Sequence, residues 1–350
     1  MNKNREAYDG QTLHRVLILG NGFDLAVGRR TIYKDFYDSK YCPKDYPAPL
    51  IKYLNERLGK ELDKVRWLDL ENALQEFAKE PSKDDYYSKD EEKIVKYYRT
   101  YSDFPQGEPQ FWGDMVQNML KEGKLQSSPS GGDPIFPYSD DYFKYTREQR
   151  DEIALKMIEK GLADYLDEVG ERAHVQEAYV LGLLRNFLED DNASVYSFNY
   201  TKVGSLITTD ALKIKEYDAK VQYMHGSLQD GHVIIGAKDG DYGDYDFVQK
   251  AFDSQFNPPR LLKNLMEADE VIIYGHSLGD CDSQYFEPYF RYLVTNFDNK
   301  DRKITIYTYD DASEIQLKKN LNRLTGNNLR SLYNNAFQII KTCDSANSGR

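Results

Sequence analysis

Read for its apolar and polar positions, the chain divides into three stretches. Arg15-Val-Leu-Ile-Leu19 is a short, nearly continuous β-rich run that ends at Gly20, the pattern of a strand buried on both faces. From about residue 40 to 190 helical spacing takes over, at Leu50–Leu62, Trp67–Phe77, Glu91–Tyr98, Glu108–Leu120 and Arg147–Leu188, with a Ser-, Gly- and Pro-rich loop at Gln126–Pro137. Strand runs then return at Ser194–Phe198, Val221–Met224, His232–Ile235, Glu270–Tyr274, Lys303–Thr308 and Ala336–Ile340, with helical segments between most of them; local pairing of His232–Ile235 with a neighbour is left open. Such alternation predicts an α/β fold with a doubly wound, mostly parallel sheet and a large helical insertion. The expected core is residues 1–39 and 191–343, with an insertion or cap over 40–190 and a disordered tail at 344–350.

In sheets of this kind ligands bind beyond the carboxyl ends of the strands. Four strand ends here carry small or polar residues: Gly20-Asn21-Gly22-Phe23-Asp24, Asn199-Tyr200-Thr201, His225-Gly226-Ser227, and Gly275-His276-Ser277-Leu278-Gly279-Asp280-Cys281-Asp282. The first lets the backbone turn tightly and approach a pyrophosphate at a helix N-terminus. Because Leu25 stands where a third glycine is usual, it reads equally as a plain strand-to-helix turn. Asp24 is a candidate N-cap, better placed beside a ribose or a developing cation than beside a phosphate. His225 has the right chemistry for a general base near neutral pH, and Asn199 can both donate and accept hydrogen bonds; each also has a plain structural reading. Gly275-His-Ser-Leu-Gly279 matches the nucleophile elbow of serine hydrolases letter for letter, with Ser277 as nucleophile. Chain order opposes that reading, since no histidine follows His276.

Composition narrows the class. With 350 residues, 40% of them hydrophobic, the chain can bury a substantial core. A net charge of −12 argues against broad binding to nucleic-acid phosphates or anionic lipid. No apolar run approaches the ~20 residues of a membrane helix, and residues 1–15 contain no signal-type apolar segment. Cys42, Cys281 and Cys343 have neither disulfide nor zinc spacing, which fits a reducing cytoplasm. His225, His232 and Asp230 match no metal-ligand spacing, so no metal is expected. Trp67-Leu-Asp69-Leu-Glu71 reads as packing plus a solvated face, and the charge run Lys79–Lys93 as solvated surface.

Taken in order, the motifs resemble the bacteriophage abortive infection family AbiH. The resemblance rests on Leu17-Ile-Leu-Gly-Asn-Gly-Phe-Asp24, Tyr33-x-Asp35-Phe36, Trp67-x-Asp69-x-Glu71, Ser197-Phe-Asn-Tyr-Thr201, His225-Gly226 and Gly275–Asp282. The same layout resembles the wider sirtuin-like group, whose fold is Rossmann-like. Two departures stand out: Thr201 occupies a position where an acid is usual, and the sirtuin zinc cysteines are missing, which argues against a protein deacylase. The resemblance implies NAD as substrate or ligand. It puts Gly20, Asn21, Gly22 and Phe23 at the pyrophosphate and Gly275, His276, Ser277, Asp280 and Asp282 at the adenosine or adjacent ribose. Asn199 would then position water and the nicotinamide ribose, His225 would be the base, and Asp24 would stabilise an oxocarbenium-like cation. A sensor that binds NAD or ADP-ribose without cleaving it is the alternative, with the serine hydrolase third. The expected partner is a nucleotide small molecule, not a membrane or nucleic acid; a second copy or a partner defence protein is left open.

Overall fold

The computed structural model describes residues 13–46, 48–65, 67–79, 147–170, 178–296 and 302–343. The expected helices Glu91–Tyr98 and Glu108–Leu120, the loop Gln126–Pro137, the charge run past Lys79 and the tail 344–350 lie outside them. The main sheet holds six parallel strands: β1 (Arg15–Leu19), β2 (Ala193–Ser197), β3 (Val221–Tyr223), β6 (Glu270–Tyr274), β7 (Lys303–Thr308) and β8 (Ala336–Lys341), in the order β3-β2-β1-β6-β7-β8. Chain order reverses between β1 and β6, so that junction is the topological switch point, where doubly wound sheets take their ligands.

Alternating side chains explain why both faces are covered. Val16 and Ile18 of β1 join Val271, Ile273, Ile304 and Ile306 under the helices Leu261–Glu267, Ser283–Thr295 and Asp311–Leu324. Leu17 and Leu19 pack with Val195, Ile272 and Tyr274 against the helix Ala178–Leu188 on the other face. That last helix lies within the stretch read as insertion, yet it covers β1 and β2. His232–Ile235 does not join the main sheet. Only His232–Val233 (β5) is a strand, paired antiparallel with Gly226–Ser227 (β4) across the turn 228–231, which Gly231 closes with φ of +70°.

A third core belongs to the helical layer. Leu50 and Leu54 from the helix Pro49–Leu58, Leu70, Leu74 and Phe77 from Trp67–Lys79, and Leu155, Ile158 and Leu162 from Arg147–Gly170 pack together at helical spacing. Val233, Ile235, Tyr245 and Val248, from the segment after β3, complete it. Buried Asp151 accepts from Leu50 N–H (2.8 Å) and from the Tyr245 hydroxyl (3.1 Å), tying three parts of this layer together. Among the described residues no helix is long and apolar enough to cross a membrane.

In register, Leu19 lies level with Ser197 and with Tyr274, and Tyr274 lies level with Tyr307. The strands therefore end on one line, and β3, β2, β1 and β6, the four carrying the polar motifs, are neighbours. Beyond that line the turns after β1 and β6 touch. Gly20 N–H donates to Tyr274 O and Gly22 N–H to Gly275 O, both at 2.9 Å. A β-carbon on Gly22 would sit 2.6 Å from Gly275 Cα, whereas one on exposed Gly182, within the helix Ala178–Leu188, would meet nothing within 4 Å. Gly22→Ala is expected to destabilise the fold by about 1–3 kcal/mol through overpacking, and Gly182→Ala to stabilise it by about 0.5–1 kcal/mol. Urea denaturation of both variants checks the contrast; equal effects would contradict the loop contact.

Candidate functional site

A cavity of about 400 Å³ opens beyond the switch point, within the size range of small-molecule sites. The strand ends supply Asn21, Asp24, Asn199, His225, His276 and Ser277 to its wall. The helical layer supplies Trp67 and Glu71, and the end of β7 with the following helix adds Thr308, Tyr309, Ser313 and Gln316.

Its floor is a buried charge network. Lys250, fully buried, donates to Asp282 Oδ1 at 3.0 Å and lies 2.8 Å from Glu71 Oε1. Asp282 Oδ2 is 3.3 Å from His276 Nε2, and Oδ1 is 3.5 Å from His225 Nε2. His276 Nδ1 accepts the Leu278 N–H at 3.0 Å, which puts its proton on Nε2, facing Asp282. That contact holds buried Leu278 at φ of +53°, a strained position for a residue with a side chain. Burial works against the Lys250 charge, but Asp282 and Glu71 outweigh it and lift its pKa well above the ordinary value. Burial would also raise Asp282; Lys250 and then the two histidines hold it well below the usual carboxylate range. Glu71 is pushed up to about 7, by burial first and by Asp282, against the pull of Lys250. Two carboxylates thus share one ammonium, and Glu71 takes up a proton first.

His225 Nε2 is shut off from solvent and has no hydrogen-bond partner among the described residues. Burial, then Lys250, lower the imidazole to about 3 against the opposing pull of Asp282, so His225 is neutral at pH 7. Its ring packs edge-on to Phe198, which also contacts His276 with centroids 4.3 Å apart. Asn199 is buried and donates from Nδ2 to Gly20 O at 3.0 Å, so it braces the turn after β1.

Asp24 lies inside the short helix Asn21–Ala26, whose N-cap is Gly20 with no side-chain cap; the N-cap expectation is corrected. Its buried carboxylate pairs with Arg29 Nη1 at 3.0 Å and accepts from the Thr201 hydroxyl at 2.8 Å. Thr201, from the end of β2, thus binds an acid supplied by the neighbouring strand end.

The model of the family described as bacteriophage abortive infection AbiH matches residues 16–309, from β1 through the end of β7. The chain belongs to the AbiH family. Its role is accordingly in abortive infection of bacteriophage-infected cells. No curated protein and no solved structure matches the chain.

This AbiH chain brings Asn21, Gly22, Asp24, Asn199, Gly275, His276, Ser277, His225 and Asp282 to one cavity. Gly20 lies behind them, holding the loop contact, and Phe23 packs in the core below. Asp280 turns away to Lys238 and Arg323. Ser277 is exposed but has no base beside it among the described residues. Both nitrogens of His276 are engaged elsewhere, and the next helix begins only at Ser283, whereas a nucleophile elbow leads straight into one. Sequence reasoning missed Lys250; it read Trp67 and Glu71 as packing and solvated face and gave them no place in the site, although both stand in a motif that carries the family resemblance. Trp67 Nε1 donates to Thr31 O at 2.6 Å and its ring lines the cavity. The i, i+4 spacing of Trp67 and Glu71 was the available signal, since it puts both on one helix face.

Because folded His225 is neutral to about pH 3 while an unfolded histidine titrates near 6.5, its contribution to stability is complete above 6.5 and is lost as pH falls from 6.5 toward 3. Between pH 8 and pH 5 the wild type should therefore lose about 2 kcal/mol more than His225→Gln. Urea denaturation at the two pH values measures this; equal losses would contradict the buried neutral imidazole.

Proposed function

We propose that this AbiH family member cleaves the N-glycosidic bond of NAD, giving nicotinamide and ADP-ribose. The observation that carries the reading is the convergence of His225 and Asn199, from adjacent strand ends, on one cavity at the switch point. Supporting it are an imidazole that is neutral at pH 7, though burial and Lys250 make it a weaker base than a free histidine, and an Asn199 Oδ1 with no partner among the described residues.

The chemistry follows from these groups. As the C1′–N bond breaks, its electron pair leaves with nicotinamide and the ribose acquires oxocarbenium character. Water adds to C1′ and its proton passes to His225, directly or through a ribose hydroxyl. Asn199 Oδ1 orients that water or hydroxyl. Because the charge of Asp24 is already balanced by Arg29, it stabilises the cation less than a free carboxylate would. Trp67 offers an aromatic face to the nicotinamide end. Thr308, Ser313 and Gln316 offer hydroxyl and amide groups to the adenosine end, beside Ser277. The glycine turn donates Gly20 and Gly22 N–H to the neighbouring loop, so those two groups are not available to a pyrophosphate. Loss of NAD would starve an infected cell, which accords with abortive infection.

The test is incubation of purified protein with NAD, followed by chromatography of nicotinamide and ADP-ribose. The wild type should release both, and His225→Gln should be slower by about 10²–10⁴-fold with its melting temperature retained at pH 8. Undiminished turnover by His225→Gln would remove the assigned base. A raised melting temperature without release, with NAD in excess, would favour the sensor.

A further inference from the structure

We propose that Asp282 is the counter-ion of His225 during proton uptake, and that Lys250 and Glu71 are positioning residues that fix its charge and orientation from the helical layer. The inference rests on the reading of the cavity as an NAD-cleaving site, and gives Asp282 a role other than binding a ligand hydroxyl.

The geometry points this way for three reasons. Of the two imidazoles facing Asp282, His276 has both nitrogens engaged, by Leu278 N–H and by the carboxylate. His225 alone has a nitrogen to spare. With its Nε2 aimed at Asp282 Oδ1 across 3.5 Å, Nδ1 is left as the acceptor for a proton from water or a ribose hydroxyl. When that proton arrives, the imidazolium faces an ionised carboxylate that does not itself take the proton, the role an aspartate plays behind a catalytic histidine. Second, Asp282 is largely buried, so its charge needs compensation. Lys250 provides it at 3.0 Å, and Glu71 holds Lys250 from the other side at 2.8 Å. Third, the chain links this assembly to the helical layer twice, through Glu71 and through Cys281 Sγ donating to Asn72 Oδ1 at 3.3 Å. Glu71 and Asn72 are consecutive on the helix Trp67–Lys79, so a shift of that helix displaces Lys250 and Asp282 together.

The titratable groups around His225 come from every element packed on it. They are His276 and Asp282 from the turn after β6, Lys250 from the short helix after β5, Glu71 behind Lys250, Tyr200 from the turn after β2, and Tyr285 from the helix Ser283–Thr295. Among these Lys250 is the one cation and opposes the imidazolium. Asp282 is the nearest anion and favours it.

Imidazole protonation followed by NMR, which needs no substrate, separates this inference from the NAD reading. In the double variant Lys250→Met/Glu71→Gln, His225 faces Asp282 without a competing cation, and its protonation midpoint should rise by at least about one pH unit. In Asp282→Asn it should stay neutral to the lowest pH at which the protein is folded. An unmoved midpoint in the double variant, with the fold retained by circular dichroism, would overturn the proposal. Where the wild type releases nicotinamide, Asp282→Asn should lower kcat by about 10²-fold or more with KM within about threefold. A raised KM at unchanged kcat would instead make Asp282 a ligand-binding residue and overturn the counter-ion role. If the wild type releases nothing, the NAD reading fails while the imidazole titration still decides the coupling.

Discussion

The turns after β1 and β6 meet backbone against backbone, and that contact sets where the strand-end groups enter the cavity. A β-carbon at Gly20, Gly22 or Gly275 would come within 2.5–2.6 Å of the opposing chain, so only glycines permit the approach. The short distance lets two N–H groups from one turn bond to carbonyls of the other strand and its turn, continuing the ladder past the strand ends. Asn199 then fastens Gly20 O from β2, and the ring of His276 fastens Leu278 within the second turn. The glycines that resemble a phosphate-binding fingerprint are needed first for protein–protein contact inside the fold. The walls this contact creates line the cavity.

Electrostatics sets the second constraint. The site buries two ion-paired clusters, Asp24 with Arg29 and Thr201, and Glu71–Lys250–Asp282 with its two histidines. Buried charges of this kind are poor sources of stability, since their desolvation offsets much of the attraction. Their value lies in geometry. Each cluster joins segments far apart in sequence, and the second joins the helical layer to the sheet.

Much of the sheet was legible in the sequence. β6 and β7 have the expected limits because both are apolar β-branched runs buried on two faces, and β1 and β2 differ by at most one residue. His232–Ile235 was less legible. It carries the same apolar signal, but its residues are buried by the helical layer rather than by strand pairing, and periodicity does not record which neighbour does the burying. The strand-end motifs identified the cavity because topology alone places strand ends together. Lys250, and the burial of Glu71 within its quoted motif, were invisible for the opposite reason: a Glu in an amphipathic helix and a lone Lys in a polar loop look solvated until tertiary packing buries them. Asp24 was misread as a cap because its partners, Arg29 and Thr201, come from separate turns.

Membership of the AbiH family accounts for the biological setting, and the cavity at the switch point is where the proposed reaction is placed. The central claim is that this cavity holds the reacting ribose. A crystal structure of the protein soaked with ADP-ribose tests it most directly. The account predicts the distal ribose within hydrogen-bond reach of His225 and Asn199, with the contact between Gly22 and Gly275 unchanged. Density for the ligand at another surface, or an empty cavity at saturating ADP-ribose, would contradict it.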